Sequence, residues 1–416
     1  MRLQHTLLAA LALAAGIASA DPILPGADAT ATTAAIQAAI DAAVPSQGTV
    51  TLGAGLFEID SQLMVTGGVT LAGQGWDSTV IKQTATTPFS NTRVVTVSGG
   101  AKVEHVTLTG GRVTGPDASY NDQSGGGAYI NGGTVSWCCI TNNSVYGNSI
   151  KYGGGVGFSQ GSGGTVDHCI IADNSVSTST SDELGGGGIG AYRPLGPITI
   201  DSCLISGNRA IRTTGYGRGG GIGIEFMYQQ NPVVVRNTTI VGNAAGEGET
   251  TSKGGAVFTN NDSGKKLTMI DCIVAGNTTA GAATTVALNY DGGVDYCFFD
   301  IEADKVGANS LFGDPQFVDS ADGNYRLSST SSAREAGTTY SGIGVDLDGV
   351  DFGSPPSMGC YEAGGVAKVK APVFFPASGT RFYPTTNATL SCETAGAAIY
   401  YTLDGSDPTD ASTPYT

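Results

Sequence analysis

Residues 135–143 read VSWCCITNN and contain the motif that decides the fold, Val135-Cys138-Ile140-Asn143. The same spacing recurs at Val166-Cys169-Ile171-Asn174, Ile200-Cys203-Ile205-Asn208, Val235-Thr238-Ile240-Asn243 and Met269-Cys272-Val274-Asn277. The asparagines that end these copies are 31, 34, 35 and 34 residues apart. A fixed period of this length predicts stacked repeats, because each repeat must bury its apolar face against its neighbours.

A second motif, a run of glycines followed by apolar residues, lies in phase with the first. Its copies begin at Gly125, Gly153, Gly185, Gly219 and Gly254. Apolar residues at the first and third positions after most runs predict a strand with that side facing inward. We expect the glycines to form tight corners with positive φ. We also expect the asparagines to lie at a turn and to hydrogen-bond to those of neighbouring repeats.

The cysteines leave two structural alternatives open. Five of the eight occupy one position of the motif: Cys138, Cys169, Cys203, Cys272 and Cys297. Successive repeats of a stacked coil lie about 4.8 Å apart, which is within the range of a disulfide, so vertical pairs are geometrically possible. The alternative, which we favour, is a ladder of buried thiols that act as small apolar side chains.

The N-terminal region predicts a cap. The pattern from 32 to 44 is helical, with Thr32 or Thr33 as its N-cap, and short strands are expected near 48–52, 55–59 and 69–71. The strings AAIQAAIDAA at 34–43 and VTLAGQG at 69–75 resemble the opening of the pectate-lyase-like superfamily. That resemblance implies an all-β fold, a right-handed parallel β-helix (a solenoid) with an N-terminal capping helix.

Three further resemblances follow along the chain. The glycine-run and Asn-bearing copies are similar to the repeats of polymorphic outer-membrane proteins. The strings DPQFVD at 314–319 and MGCYE at 358–362 resemble the C-terminal cap of bacterial surface β-helices, which we expect to close the open end of the stack. The string IYYTLDGSDPT at 399–409 resembles a β-sandwich module found beside chitobiases and fucosidases, which implies a partial C-terminal β-sandwich.

These observations predict the domain organisation of the chain. We expect a signal peptide at 1–20, the N-terminal cap and first turns at 21–93, β-helix repeats at 94–317, a C-terminal cap region at 318–363, a linker at 364–371 and the partial β-sandwich module at 372–416.

The first residues predict export. Arg2 precedes an apolar run at 7–18, and the Ala-Ser-Ala string at 18–20 is a cleavage site of the secretory type. The run is too short to span a bilayer, and we expect no transmembrane segment. We therefore predict a secreted or cell-surface protein. The formal charge of −16 disfavours nucleic acid as a partner.

Candidate catalytic residues lie in the loops between each motif Asn and the next glycine run. A polysaccharide lyase requires carboxylates for calcium and an Arg or Lys as a base. The candidates are Asp182, Glu183, Arg212 and Arg218. The signs of the loop charges largely alternate from repeat to repeat, which predicts ion pairs between the loops, and we favour this interpretation. His105 and His168 share one motif position and are expected to be surface residues.

A second set of candidates lies on the outward side of the glycine-motif strands. Aromatic rings flanked by polar groups suit the faces of sugars. The predicted glycan-binding residues are Tyr129, Tyr192, Arg193, Glu225 and Tyr228. Calcium is the one cofactor for which the sequence offers a site, at Asp346, Asp348 and Asp351, although the distal Glu of a calcium loop is missing.

The sequence thus leads to three hypotheses. The first is a non-catalytic, adhesin-like protein that binds polysaccharide or another surface. The second is an enzyme, a polysaccharide lyase or a glycoside hydrolase acting on an acidic polysaccharide. The third is a structural stalk. The sequence leaves open whether the protein is catalytic, and it does not indicate an oligomeric state.

Overall fold

The computed structural model describes residues 21–86, 92–114, 123–147, 151–178, 184–212, 217–225, 232–246, 254–259, 267–279, 282–283, 286–288, 293–302, 306–340, 342–364, 373–375, 389–391, 398–403 and 412–415. Residues 20–365 form one compact unit, and residues 366–416 fall in another. Within the described residues, no helix is long and apolar enough to cross a membrane.

The larger unit begins with a helix that covers the first turn. The α-helix Ala29–Ala43 is followed by a 3-10 helix, Val44–Ser46. The N-cap of the α-helix is Asp28, whose side chain accepts the N–H of Ala31 at 2.8 Å. The helix therefore begins before the predicted N-cap, Thr32 or Thr33. The hydroxyls of those threonines donate instead to backbone carbonyls one turn earlier. Ile36 and Ile40 are fully buried against the solenoid, as their spacing predicts.

Parallel sheets form the walls of the solenoid. The first sheet contains Thr49–Thr51, Thr70–Ala72, Lys102–Glu104, Gly133–Ser136, Gly164–Asp167, Ile198–Asp201, Val233–Arg236, Leu267–Ile270 and Gly293–Asp295. The second contains Gly55–Ile59, Thr79–Gln83, Thr107–Thr109, Cys139–Thr141, Ile170–Ala172, Leu204–Ser206, Thr239–Val241, Ile273–Ala275, Phe298–Phe299 and Leu311–Phe312. The third contains Leu63–Val65, Val95–Ser98, Ala128–Asn131, Val156–Phe158, Ile189–Tyr192, Ile222–Glu225, Val257–Thr259 and Val286–Leu288.

Two further sheets arise between the motif Asn and the glycine run. The fourth contains Arg112–Val113, Ser144–Gly147, Ser175–Thr178, Arg209–Arg212, Ala244–Ala245 and Thr278–Thr279, and Ala282–Ala283 joins it antiparallel. The fifth contains Lys151–Tyr152, Leu184–Gly185 and Gly217–Arg218. Short antiparallel pairs complete the described strands: Phe317–Asp319 with Asn324–Leu327, Val373–Phe375 with Thr389–Ser391, and Ile399–Tyr401 with Thr413–Tyr415.

The repeat motif forms the core as predicted. Val135, Cys138 and Ile140 are fully buried, and their equivalents in later repeats stack beneath them in the same core. The chain turns between the first two of these positions at a residue with positive φ, which leads from the first sheet to the second. The residues at this corner, in successive repeats, are His105, Trp137, His168, Ser202, Asn237, Asp271 and Tyr296. We call this line of residues the corner column.

The motif asparagines form a continuous hydrogen-bonded ladder. The Nδ2 of Asn174 donates to the Oδ1 of Asn208 at 3.0 Å and to the backbone oxygen of Ile140 at 2.8 Å. The backbone N–H of Asn174 donates to that same Oδ1 at 3.0 Å. Asn143, Asn208 and Asn243 repeat the pattern. The predicted asparagine turn is therefore confirmed, and it satisfies polar groups that face the core.

The glycine strands carry a feature that the sequence did not reveal. Gly157, Gly190 and Gly223 point outward from the third sheet. Gly190 and Gly223 lie against the fifth sheet, and Gly157 lies against Ser124 and Gly125. A Cβ on Gly190 would lie 2.2 Å from the N of Gly153. At these positions, the glycines therefore let the third sheet approach the backbone of the fifth closely.

Gly190→Ala is accordingly expected to lower the free energy of unfolding by about 2 kcal/mol, because the two sheets must separate to admit the methyl group. Urea unfolding measures this. Gly344→Ala is the matched control, since a Cβ there meets nothing within 4 Å. Equal stability losses in the two variants would contradict the close contact between the sheets.

The cysteines are thiols in this structure, as we favoured. All seven described cysteines are free, and Cys392 lies outside the described residues. The Sγ of Cys203 donates to the backbone oxygen of Asp201 at 3.0 Å. Burial raises the pKa of Cys203 well above its usual value and that of Cys360 to about 12. Such thiols are protonated and inaccessible, and both properties suppress their reactivity.

We therefore expect the buried cysteines to resist iodoacetamide in the folded protein and to react when the protein is unfolded without reductant. Mass spectrometry of labelled peptides measures this. Peptides of Cys138 and Cys169 that stay unlabelled after unfolding, and become labelled only with reductant, would show that the ladder is disulfide-bonded.

Candidate functional site

A long segment, residues 314–363, lies along the outside of the solenoid, and we call it the strap. Its Leu347, Cys360 and Tyr361 pack on Leu204, Val241 and Ala275, which face outward from the second sheet. Farther along the same face, Leu327, Ala333 and Met358 pack on Ile273 and Phe298. The C-terminal cap region was expected to close the end of the stack. In the structure, this region packs along the outward side of the second sheet, which is apolar here and is buried by the strap.

A groove runs beside the strap, where the second sheet turns into the fourth. The residues before the ladder asparagines form its floor, and in successive repeats they are Asp173, Gly207, Gly242 and Gly276. A Cβ on Gly242 would meet nothing within 4 Å and one on Gly276 only the N of Gly242 at 3.8 Å, so the floor is open at these two repeats, whereas the carboxylate of Asp173 lies beside Gly207. Because neighbouring strands of a sheet lie about 4.8 Å apart, these four repeats span about 14 Å. This length is sufficient for a short stretch of an extended polymer.

Two separate cavities lie along this floor. One has a volume of about 540 Å³, and its wall is formed by Pro315, Phe317 and Tyr325 of the strap. The other, of about 430 Å³, lies farther along the floor between Asp173 and Arg209. Burial, and then the charge of Asp173, raise the pKa of Tyr325, which keeps its hydroxyl protonated as a hydrogen-bond donor.

The charges of the larger cavity are carboxylates. Asp300 and Asp314 line it, and none of its lining residues, all of which are described, is Lys, Arg or His. The Oδ2 of Asp300 accepts the N–H of Gly276 at 2.5 Å. Phe317 and Tyr325 meet edge to face, with 5.3 Å between ring centroids. The cavity thus combines aromatic surface with hydrogen-bond acceptors, which suits hydroxyl-rich ligands better than anions.

Of the predicted catalytic residues, the structure describes the surroundings of one. Asp182 and Glu183 lie outside the described residues, and Arg212 is described only as the last residue of a strand. The Nη1 of Arg218 lies 2.5 Å from the Oε1 of Glu225, which is fully buried. The guanidinium of Arg218 also lies 5.3 Å from the centroid of the Phe258 ring.

Three of the predicted glycan-binding residues, Tyr129, Tyr192 and Glu225, are buried, whereas Arg193 is exposed. Tyr129 is only 6% exposed and lies beneath the guanidinium of Arg93, 4.8 Å from its ring centroid. Tyr192 is 9% exposed and packs against Tyr152. The N–H of Arg193 donates to the backbone oxygen of Glu225 at 2.8 Å, and Tyr228 lies outside the described residues. Tyr152 belongs to the fifth sheet, which therefore contributes to the burial of Tyr192.

The three carboxylates predicted to hold calcium have different surroundings. Asp346 is buried and accepts the N–H groups of Asp348, Val350 and Glu362 at 2.8–2.9 Å. Asp348 pairs with Arg326 through two hydrogen bonds of 2.6 and 2.8 Å. Asp351 is exposed. The carboxylate of Asp346 thus stabilises a turn of the strap by accepting backbone N–H groups. The described residues contain no group of three His, Cys, Asp or Glu side chains placed to hold a metal ion.

The histidines share the corner column, as their common motif position predicts. His105 is exposed, and its ring stacks on Trp137 with 6.1 Å between centroids. His168 is only 15% exposed and stacks on the other side of Trp137 at 4.3 Å. The strap covers His168, so the expectation of a surface residue holds for His105 alone.

The match of these repeats to a known family agrees with this architecture. Residues 94–290 match the model of a right-handed beta helix region. These repeats form a right-handed β-helix. Residues 376–416 match a chitobiase/beta-hexosaminidase C-terminal domain, so the resemblance of this segment is confirmed as well. No curated protein matches the chain.

Two solved structures are similar to the chain at low identity. Pectate lyase Pel9A shares 15% identity with a TM-score of 0.35, over 78% of this chain and 90% of that one. The A-module of mannuronan C-5 epimerase AlgE4 from Azotobacter vinelandii shares 18% identity with a TM-score of 0.31, over 67% of this chain and 92% of that one.

The sequence did not identify the groove beside the β-helix, although it contained a signal for it. Gly207, Gly242 and Gly276 occupy one motif position directly before the ladder asparagines. Side chains are absent there in three successive repeats, which indicates an open line on the surface. The strap wall carries no such signal, because its residues belong to no repeat.

Proposed function

We propose that this is an exported β-helix protein that binds neutral polysaccharide, without cleaving it, in the groove beside the strap. The observation that carries the proposal is the open glycine floor next to an aromatic wall. The floor lets a polymer approach the backbone, and Tyr325 offers a ring and a hydroxyl donor. The carboxylates of Asp300 and Asp314 are acceptors for sugar hydroxyls and repel anionic polymers.

The similarity of residues 376–416 to a chitobiase/beta-hexosaminidase C-terminal domain supports a glycan as the partner. Export rests on the signal at 1–20, and it is tested separately. Expression of the full chain in a secreting bacterial host, followed by fractionation and N-terminal sequencing, should yield an exported form that begins at Asp21. An uncleaved protein in the cytoplasm would contradict export and would leave the groove unaffected.

Affinity electrophoresis tests the binding against neutral, amino-sugar and uronate polymers, with new reducing ends assayed in parallel. We expect retention on a neutral polymer, little on uronates, and no new reducing ends. Gly242→Asn should fill the floor and weaken retention. It should fold, because Asn142 occupies the same position of an earlier repeat with similar positive φ. Tyr325→Ala should weaken retention as well.

Two control variants match these changes. Asn142→Gly makes the reverse exchange at the earlier position, and Tyr146→Ala removes an exposed tyrosine from the fourth sheet. Both should retain binding. Equal retention of all four variants would place binding elsewhere. Retention confined to uronates would contradict the ligand class, and new reducing ends would show that the protein is an enzyme.

A further inference from the structure

The strap is attached to the corner column at three of its residues. The Nε2 of His168 donates to the backbone oxygen of Val345 at 3.0 Å. The Nδ2 of Asn237 donates to the hydroxyl of Tyr340 at 2.7 Å. The Oδ1 of Asp271 accepts the N–H of Thr338 at 2.7 Å. Two of these three attachments therefore involve groups that titrate near neutral pH.

Asp271 is held in an unfavourable site for a carboxylate. It is fully buried, its Oδ1 accepts the single hydrogen bond from Thr338, and its Oδ2 has no hydrogen-bond partner. The strap itself completes the burial, because the backbone of Gly337 lies against the carboxylate and the N–H of Gly359 donates to the backbone oxygen of Asp271 at 2.7 Å. Docking the strap therefore removes a charge from water without a cation in return.

Docking of the strap also favours the protonated form of His168, although in this case the protonated form is the charged one. Its Nδ1 lies 3.6 Å from the Oδ2 of Asp167, and the negative charge of Asp201 acts on it as well. The protonated ring donates its Nε2–H to Val345 and is attracted by the negative charge of Asp167, whereas a neutral ring with its proton on Nδ1 has no donor for Val345. The docked strap is thus favoured when His168 carries its proton.

We propose that the strap is a pH-sensitive latch, which is docked on the corner column in acid and loosens as the pH rises through neutrality. Burial raises the pKa of Tyr340 and that of Cys272, which lie near Asp271, so both are neutral in this range. Arg236, which lies over the Tyr340 ring, is neutralised by Asp201 at 2.6 Å.

Deprotonation of Asp271 and deprotonation of His168 both weaken docking of the strap as the pH rises. Burial raises the pKa of Asp271 from 3.8 to about 7, and the Thr338 N–H opposes this only in part. Its contribution is therefore fully present below 3.8 and is lost as the pH rises to about 7. Burial lowers the pKa of His168, but Asp167 and Val345 outweigh this and raise it above 6.5, so its contribution is lost above that value.

Hydrogen exchange of the strap amides, measured without ligand at about pH 5 and about pH 8, tests the latch. Exchange is expressed as protection factors, which removes the intrinsic pH dependence of exchange. Protection at Thr338, Gly359 and Cys360 should fall by about tenfold or more at the higher pH. Amides of the solenoid core should not change.

Asp271→Asn should remove most of this loss, because Asn keeps the acceptor for Thr338 and already occupies the column at Asn237. His105→Gln is the matched control at an exposed column position and should behave like the wild type. Unchanged protection in the wild type, or the same loss in Asp271→Asn, would overturn the proposal. Since the assay contains no polysaccharide, its result is independent of whether the groove binds one.

Discussion

Asn208→Ala is expected to lower the free energy of unfolding by about 4 kcal/mol. Asn208 is fully buried in the middle of the asparagine ladder. Its Oδ1 accepts the N–H and the Nδ2 of Asn174, each at 3.0 Å. Its own Nδ2 donates to Ile171 at 2.8 Å and to Asn243 at 2.9 Å. Alanine removes all four contacts and leaves buried groups without partners in the repeats on either side.

Urea unfolding followed by circular dichroism measures the loss. Asn142→Gly is the control, because it changes an exposed asparagine directly beside the ladder to the residue found at the same position in later repeats. We expect that variant to differ from the wild type by less than about 1 kcal/mol. A loss of that small size in Asn208→Ala would mean that the ladder contributes little to the stability of the solenoid.

Arg218→Ala is expected to lower the free energy of unfolding by about 3 kcal/mol at neutral pH. Glu225 is fully buried, and its Oε1 lies 2.5 Å from the Nη1 of Arg218. The variant would leave that carboxylate buried without its cation. It would also remove the guanidinium that lies over the ring of Phe258.

A double variant separates charge from packing. Arg218→Ala combined with Glu225→Gln removes both charges, and we expect it to recover part of the stability that Arg218→Ala loses. A double variant that is less stable than the single one would contradict the cost of the unpaired carboxylate. The same result bears on the enzyme hypothesis, since loss of activity in Arg218→Ala could reflect a damaged fold as readily as a lost catalytic group.

The repeats could be predicted because their contacts are local and periodic. Val135, Cys138 and Ile140 face inward for the reason that their spacing indicated, and the asparagines stack because each repeat places one at the same point. The start of the helix was misplaced by a few residues, since Asp28 competes with Thr32 and Thr33 as an N-cap and the sequence does not rank them.

The strap and the groove could not be predicted in the same way. The contacts of the strap join residues 67, 121 and 177 positions apart, as in Asp271 with Thr338, Thr239 with Cys360, and His168 with Val345. No period relates these pairs. The pairing of Arg218 with Glu225 was missed because the two residues were assigned to different surfaces, and the fifth sheet brings those surfaces together.

The asparagine ladder has a direction. Each Asn Oδ1 accepts from the repeat before it, beginning with the N–H of Gly111 on Asn143, and each Asn donates its backbone N–H and one Nδ2–H to the Oδ1 of the next. During synthesis, the amino-terminal repeats emerge first. Each completed repeat then presents two N–H groups that only the next Asn satisfies, so every turn serves as a template for its successor. The solenoid can therefore assemble in the order of translation, with each repeat added to the one before it from the amino-terminal end.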